Sequence, residues 1–528
     1  MPEREPAERL DDLVTALLSG FTGTGEATEP LGDLAAVAAE LRGLPSEGFR
    51  ARLDANLVKA SAPKEATMAT NVTFIRAALL DDLAGRFTGQ LLQPSHADYD
   101  EARRVHNGLV DKRPGLIARC RGTADIVDAV NLAAEVGLEV SIRGGGHNVA
   151  GRATIDDGLM IDLSPMKGIH VDPATRTVRA QGGVTWAEYN RETQAHGLAS
   201  TGGVVSTTGI AGLTLGGGLG WLLGRHGLAV DNLISVELVT ADGRILTVSD
   251  KEHPDLFWGL RGGGGNFGVA SSFAFRLHPV GPTITGGLVA HPFPSARDML
   301  RFYRDVGASA PDELTAFAGL LHAPDGSNAK ISAIVACHCG TLEDGEAAVR
   351  PIKAFGPPVM DTLGPMPYCQ MNSMLDAGYP RGALNYWKSN FLTALTDDAI
   401  DTMLDCYARC PSPMSQMLLE HFHGAAVRVG ASETAFPHRT PGYNLLVLGQ
   451  WTDPADGERC IAWVRETFAA MEPFMASGRY VNYLGDEEGG ADPVAAAYGP
   501  NYARLQQLKA RYDPRNFFHV NQNIRLPR

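Results

Sequence analysis

The sequence predicts an α+β protein of more than one domain. Three observations carry this. Residues 67–281 hold short apolar strands that run into glycine loops, with helical stretches between them. Residues 282–475 hold longer alternating runs separated by amphipathic helices. The chain, at 528 residues, exceeds the size of one ordinary domain.

The elements follow in order. Residues 1–66 show apolar positions at helical spacing in "ERLDDLVTALLSGF", "LGDLAAVAAELRGL" and "EGFRARLDANLV", with linker-like "TGTGEATEP" and "LPSE" between them. This is a small helical appendage without catalytic groups, suited to packing or assembly, and it leaves a homo-oligomer open. In 67–281, "TADIVDAVNLAAEVG" reads as an amphipathic helix and "GLEVSIRGGGH" as a strand entering a loop. "HVDPATRTVRAQGGV" reads as a hairpin, and "LISVELVTADGRILTVS" as two strands around an Asp242-Gly243 turn. In 282–475, "AKISAIVACHCG" and "GYNLLVLGQW" alternate as strands of an antiparallel sheet, and "DGERCIAWVRETFAAM" is a covering helix. Residues 476–528 add a helix and a polar-aromatic end.

Composition narrows the function classes. The net charge is −14, without basic clusters, which argues against nucleic acid and anionic membranes as partners. The first residues lack a basic, apolar leader and no run is long enough to span a bilayer, so a cytoplasmic protein is expected. The seven cysteines form no metal-ligand framework, and no metal site is expected. "CHC" at 337–339 lies inside an alternating run and reads as strand core; Cys406 and Cys410, one helical turn apart, lack a histidine partner. An odd number of structural thiols suits a reducing compartment.

The glycines ask for a ligand. "SIRGGGHNVAG", residues 141–151, strips side chains from a strand exit and then places one histidine, His147. Further glycines cluster at 182–183, 202–203, 216–218 and 262–265. Several bare loops suit one extended ligand lying along the backbone. "GGGNFG" at 263–268 fits G-x-G-x-x-G, but a strand, "VASSFAFRL", follows where a dinucleotide fold needs a helix, so that mode is rejected. No phosphate-binding G-K-[ST] pattern occurs. Successive glycine N–H groups can still face an anion.

Four stretches together resemble one family: "IRGGGHNVAG", "TTGIAGLTLGGGLGWLLGRHGLAVDNLISVELVTADG", "DLFWGLRGGGGNFGV", and "YVNYLGDE" with "YDPRNFFHVNQNI". In this order they resemble the berberine-bridge-enzyme-like branch of the vanillyl-alcohol-oxidase flavoproteins. The resemblance runs over about 450 residues, from about 75 to the end. It implies FAD, a two-subdomain FAD-binding domain, a substrate domain whose sheet roofs the flavin ring, and a C-terminus returning to the FAD domain. It implies a covalent bond from His147 to the flavin. In the first loop it also makes Arg143, Gly144, Gly145, Gly146, Asn148 and Gly151 cofactor-binding candidates. In the second it picks out Val204, Val205, Thr208, Gly209, Gly212 and Gly216. Gly268 and Val269, and then Tyr480, Asn521 and Asn523, complete the set. Many relatives add a second bond from a cysteine, but that position is Val205, and no cysteine lies between 120 and 337. One bond is therefore expected, as in the 6-hydroxynicotine-oxidase-like relatives. Thr208 matches the family's oxygen gate and is close in shape to valine, the residue that implies O2 access.

The resemblance implies hydride removal from a C–H beside O or N, with a base for the accompanying proton. Tyr483, in the "NY" dipeptide, matches the family's tyrosine base and ranks first. Because tyrosine's ordinary pKa is about 10, it needs a second group to tune it. The carboxylate that some relatives carry ahead of the "GQW" tryptophan is Asn444 here, which cannot act as a base. Glu420, His421 and His423 in "LLEHFHG" are alternatives, and strand alternation puts the two histidines on one face. Tyr386 and Lys388 in "NYWKSNF" share one face if the stretch is a strand, and the resemblance makes them pocket candidates. The expected reaction is oxidation of an alcohol or phenol, a secondary metabolite or sugar, with O2 as acceptor. An amine oxidase and a non-catalytic flavin carrier are the competing readings.

Overall fold

The computed structural model describes residues 80–392, 394–485 and 492–527. The helical appendage expected at 1–66 lies outside them. Three larger sheets and one two-stranded sheet organise the rest.

The first sheet holds β1 (Gln90–Leu92), β2 (Leu116–Arg119), β3 (Val140–Arg143) and β4 (Leu159–Asp162), in the order β1-β2-β4-β3. Strands β2 and β3 both run parallel to β4. The expected helix spans Thr123–Val136 and ends on Gly137, whose φ of 69° suits a residue without a Cβ. Its buried stripe of Ile126, Ala129, Val130 and Ala133 packs against Leu116, Ala118, Leu159 and Ile161.

Strands β5 (Ile169–Asp172) and β6 (Thr177–Gln181) form the expected hairpin. A short β7 (Leu198–Ala199) follows. Strands β8 (Leu233–Val239) and β9 (Ile245–Ser249) flank the Asp242-Gly243 turn, and Gly243 takes φ 75° there. Strand β10 (Val269–Arg276) is the strand after "GGGNFG", and β11 (His278–Pro279) pairs with β7. The second sheet is β5-β6-β10-β8-β9, all antiparallel. Trp186, Tyr189, Phe273 and Phe275 are fully buried in its core.

The third sheet is built entirely from residues 283–451. It comprises β12 (Thr283–Pro292), β13 (Leu314–His322), β14 (Lys330–His338), β15 (Met360–Asp361), β16 (Gly364–Pro367), β17 (Leu384–Leu392), β18 (Gln416–Phe422) and β19 (Gly442–Trp451). Its order is β15-β12-β14-β13-β18-β19-β17, with β16 also on β12. Helices Ala296–Ala308, Leu342–Ala354, Asp397–Ala408 and Gly457–Met471 bury one face of it. The other face roofs a cavity whose floor is the glycine loops. Cys337 and Cys339 are buried beside this sheet, and all seven cysteines are free thiols. Among the described residues no helix is long and apolar enough to cross a membrane, and no His, Cys, Asp and Glu cluster could hold a metal ion.

The C-terminal segment closes the floor. Helix Tyr502–Tyr512 carries Lys509, whose buried ammonium donates to Asn266 O (2.9 Å), Phe518 O (2.9 Å) and Asp513 Oδ2 (2.7 Å). Asp513 also accepts from the N–H groups of Phe517 and Phe518. Both side chains of this ion pair are fully shielded from water. Lys509→Met would leave the Asp513 charge buried without its partner. It should cost about 3–5 kcal/mol of unfolding free energy, read from urea denaturation. A loss below about 1 kcal/mol would show that the pair does not hold this segment.

Candidate functional site

The floor is made of backbone. Gly145 lies against Gly209 so closely that a Cβ on either would stand 2.4 Å from the other's amide nitrogen. The two loops therefore touch main chain to main chain, and a bridge between Thr185 and Gly209 extends that contact. Gly144–Asn148, Val204, Val205, Thr208, Gly209, Gly212 and Gly268 all line the cavity, whose volume is about 360 Å³. The C-terminal tail forms its far end. Asn521 donates to Gly265 O (2.7 Å), Asn266 donates to Gln522 O (3.1 Å), and Ile524 N–H donates to Asn266 Oδ1 (3.0 Å).

Residues 480–483 lock both loops to the roof. Asn148 donates to the Asn482 carbonyl (2.9 Å), and the Asn482 amide donates to Leu213 O (3.0 Å) and to Tyr480 Oη (2.9 Å). Tyr480 Oη also accepts from Gly218 N–H. Gly216 is required here for space, because a Cβ would fall 1.9 Å from Asn482 Oδ1.

His147 stands in this floor. Its Nε2 is buried without a hydrogen-bond partner. Its ring stacks on His106 at 3.9 Å between centroids and 19° between planes. Burial, and next the neighbouring His106, lower its pKa to about 3; burial, and next Arg381, lower that of His106 to about 4. Both imidazoles are therefore neutral at pH 7, which leaves His147 a ring nitrogen with a free lone pair.

The roof supplies one carboxylate. Glu420 on β18 pairs across the sheet with Asn444 on β19. Its Oε2 accepts from Asn444 Nδ2 (2.6 Å), and its Oε1 accepts from Tyr483 Oη (3.1 Å). Glu420 is 2% exposed. Burial raises its pKa to about 7, against the two hydrogen bonds that favour its charged form. Burial, followed by the Glu420 charge, holds the Tyr483 phenol well above its ordinary value. Tyr483, ranked first, and Glu420, named as an alternative, thus form one hydrogen-bonded pair.

Other expectations are corrected by strand alternation. His421 adjoins Glu420 and so points to the opposite face. It stacks on Tyr443 (5.1 Å) and on His423 (4.7 Å), beside Gly307 of a covering helix and outside the cavity. Tyr386 and Lys388 share that face: Arg465 lies over the Tyr386 ring (5.4 Å) and Lys388 over Phe468 (5.2 Å). Their neighbour Trp387 lines the cavity instead. Arg143 lies outside the cavity lining, its buried guanidinium held by Asp162 (2.9 and 2.8 Å). Gly151 gives room to Val110, and Val269 is strand core. Gly216 and Asn523 also lie outside the cavity lining, whereas Tyr480 and Asn521 belong to it.

Sequence reasoning missed Trp387, Tyr379, Gln416, Arg152 and His106. Alternation from Tyr386 and Lys388 already implied that Trp387 faces the other way. Arg152 follows the histidine loop directly, and it donates to the carbonyls of Val520 and Asn521 at the cavity's tail end. His106 precedes the first sheet's β2 and had no local signal.

A bare-backbone floor, an unpartnered buried imidazole and a roof with one hydrogen-bonded carboxyl–phenol pair suit a flavin-dependent oxidoreductase. Comparison with known proteins agrees. Residues 114–249 match the FAD binding domain family, and residues 479–525 the berberine and berberine-like family. An FAD-linked oxidoreductase of Dictyostelium discoideum is 34% identical over 78% of this chain and 89% of its own length. (R)-6-hydroxynicotine oxidase of Paenarthrobacter nicotinovorans is 31% identical over 83% and 96%. The crystal structure of 6-hydroxy-D-nicotine oxidase from Arthrobacter nicotinovorans superposes with a TM-score of 0.76 at 29% identity, over 83% of this chain and 98% of that one. The chain belongs to the berberine-bridge-enzyme-like flavoproteins of the vanillyl-alcohol-oxidase superfamily and is an FAD-linked oxidoreductase. The non-catalytic flavin carrier is thereby set aside.

Gly145→Ala tests the floor. Its methyl group cannot fit without parting the two loops, so purified protein should retain markedly less flavin, read from the ratio of visible to ultraviolet absorbance. Full flavin content with an unchanged spectrum would show that the loop contact is dispensable.

Proposed function

We propose that the protein oxidises the carbinol or phenol-type C–H of a small organic molecule, with O2 as final acceptor and H2O2 as product. The observation that carries this reading is the Tyr483 Oη to Glu420 Oε1 hydrogen bond inside the cavity. Bound FAD would supply the hydride-accepting chemistry. Tyr483 accepts the substrate's hydroxyl proton at Oη while passing its own proton to Glu420, so a high phenol pKa is no obstacle. Asn444 keeps the second carboxylate oxygen occupied and aims the first at Tyr483. Thr208, in the cavity wall, offers a side chain of valine's shape, which supports O2 access.

The residues fit a singly attached flavin. His147 would hold it, since its neutral ring nitrogen is buried and unpartnered in the glycine floor. Val205, in the cavity wall, cannot form a second bond. Acid-precipitated protein should stay yellow, and His147→Ala should release its flavin on precipitation. Flavin recovered on a cysteine peptide would refute the single attachment.

A second reading is favoured by the 31% identical relative named (R)-6-hydroxynicotine oxidase, namely oxidation of an amine C–N bond. The two readings separate at Tyr483. For an alcohol, Tyr483→Phe and Glu420→Gln should each slow anaerobic flavin reduction by about a hundred- to ten-thousand-fold, with the flavin spectrum intact. For a neutral amine, Tyr483→Phe should change the rate little. The base must be ionised to act, and the Glu420 pKa is raised to about 7. The wild-type alcohol reduction rate should therefore hold above pH 7 and fall as pH drops below it, about tenfold per unit. In Glu420→Gln that slope should vanish. A wild-type profile flat from pH 5 to 9, the range where the pair would titrate, would place the base elsewhere.

A further inference from the structure

The roof of the cavity holds information about what enters it. Its sheet face presents Leu288, Phe317, Val335, Leu418, Leu446 and Trp387 toward the floor. Polar side chains on the same wall are few, and most are already engaged. Trp387 Nε1 donates to Asn385 Oδ1 (3.1 Å). Tyr379 Oη donates to Gln416 Oε1 (3.3 Å). Asn444 donates its Nδ2 to Glu420, and its unpartnered Oδ1 is buried outside the cavity lining. What remains for a ligand on this wall is the Glu420–Tyr483 pair and the amide N–H of Gln416. Among the described residues, the one cation lining the cavity is Arg152, at the tail end and away from the roof sheet.

The aromatic rings collect around the proton-accepting pair. Trp387 meets Tyr483 edge to face (6.4 Å, 66°) and Tyr379 likewise (6.0 Å, 73°). Three rings therefore form a corner beside the Glu420 carboxylate. Such a corner packs a fourth ring favourably. A pyranose, by contrast, carries a hydroxyl on nearly every ring carbon, and each gives up water on entry. A hydroxyl buried without a partner costs a factor of roughly five to over a hundred in affinity.

We infer that the substrate is an uncharged, largely apolar ring compound with a single hydroxyl-bearing carbon attached to the ring, and that carbohydrates are excluded. The aromatic corner of Trp387, Tyr379 and Tyr483 takes the ring, and the hydroxyl meets Tyr483. This rests on the cavity being the site of oxidation proposed above, and it goes further in naming what the roof admits.

The test uses the purified holoenzyme under anaerobic conditions, with two readouts: perturbation of the flavin absorbance for binding, and bleaching for reduction. The probes are benzyl alcohol and naphthylmethanol against glucose and xylobiose. The arylmethanols should bind at least about a hundredfold tighter than either sugar, as one or two unpartnered hydroxyls would dictate. Trp387→Ala should weaken naphthylmethanol binding about tenfold or more, and Trp387→Phe, which keeps a ring and the core volume, should weaken it less. Glucose or xylobiose binding as tightly as the arylmethanols would overturn the inference, and so would the failure of every arylmethanol to bind. Arylmethanols that bind tightly but never bleach the flavin would uphold the assignment of ligand class and refute the oxidation reading instead, so the two can fail separately.

Discussion

Asn482 is the joint on which the site depends. Its carbonyl receives Asn148 from the histidine loop, and its amide reaches Leu213 in the second loop and Tyr480 in its own segment. One residue thereby links both glycine loops to the chain segment that carries Tyr483. Every one of these bonds involves main-chain or buried polar atoms, which cost free energy when left unpaired. The joint is admitted only because position 216 has no side chain. Glycine floor and Glu420-bearing roof are thus tied together through a single short stretch.

The buried carboxylate follows a different logic. An isolated charge in this apolar roof would be expelled or neutralised. Two hydrogen bonds, from Asn444 and Tyr483, bring Glu420 to a balance point in which neither protonation state dominates near pH 7. A group poised there exchanges protons in either direction at small cost, as a general base must. The same burial that would be a defect in a core is what raises the Glu420 pKa here.

Much of the fold was legible in the sequence. The helix at Thr123–Val136, the β5–β6 hairpin and the turn at Gly243 are local, set by periodicity and by glycine geometry. The glycine loops and His147 were legible as a set because their motifs recur together, and they line one cavity. The roof was only half legible. Alternation gave the faces of Tyr386, Trp387 and Lys388 relative to one another, but not which face met the cavity, since that depends on helices far away in sequence. For the same reason Glu420 was legible only as one alternative among the residues of "LLEHFHG". Its partner Asn444 read as a lost carboxylate, whereas the register of β18 with β19 sets the acid directly opposite the amide. His106 and Arg152 belong to contacts of the tertiary fold that no local pattern announces.

The division of labour between floor and roof has an evolutionary consequence. The floor is written in main chain and glycine, so a side chain added there meets a neighbouring backbone, as at Gly145 and Gly209, or a packed side chain, as at Gly216. The roof is written in every second residue of an antiparallel sheet, and the residues between them belong to a separate core beneath the helices. Exchanging Leu446 or Leu418 therefore alters the chamber while leaving the scaffold's other face untouched. A lineage built this way can drift in diet while its redox engine stays fixed, each new specificity lying a few alternate codons from the last.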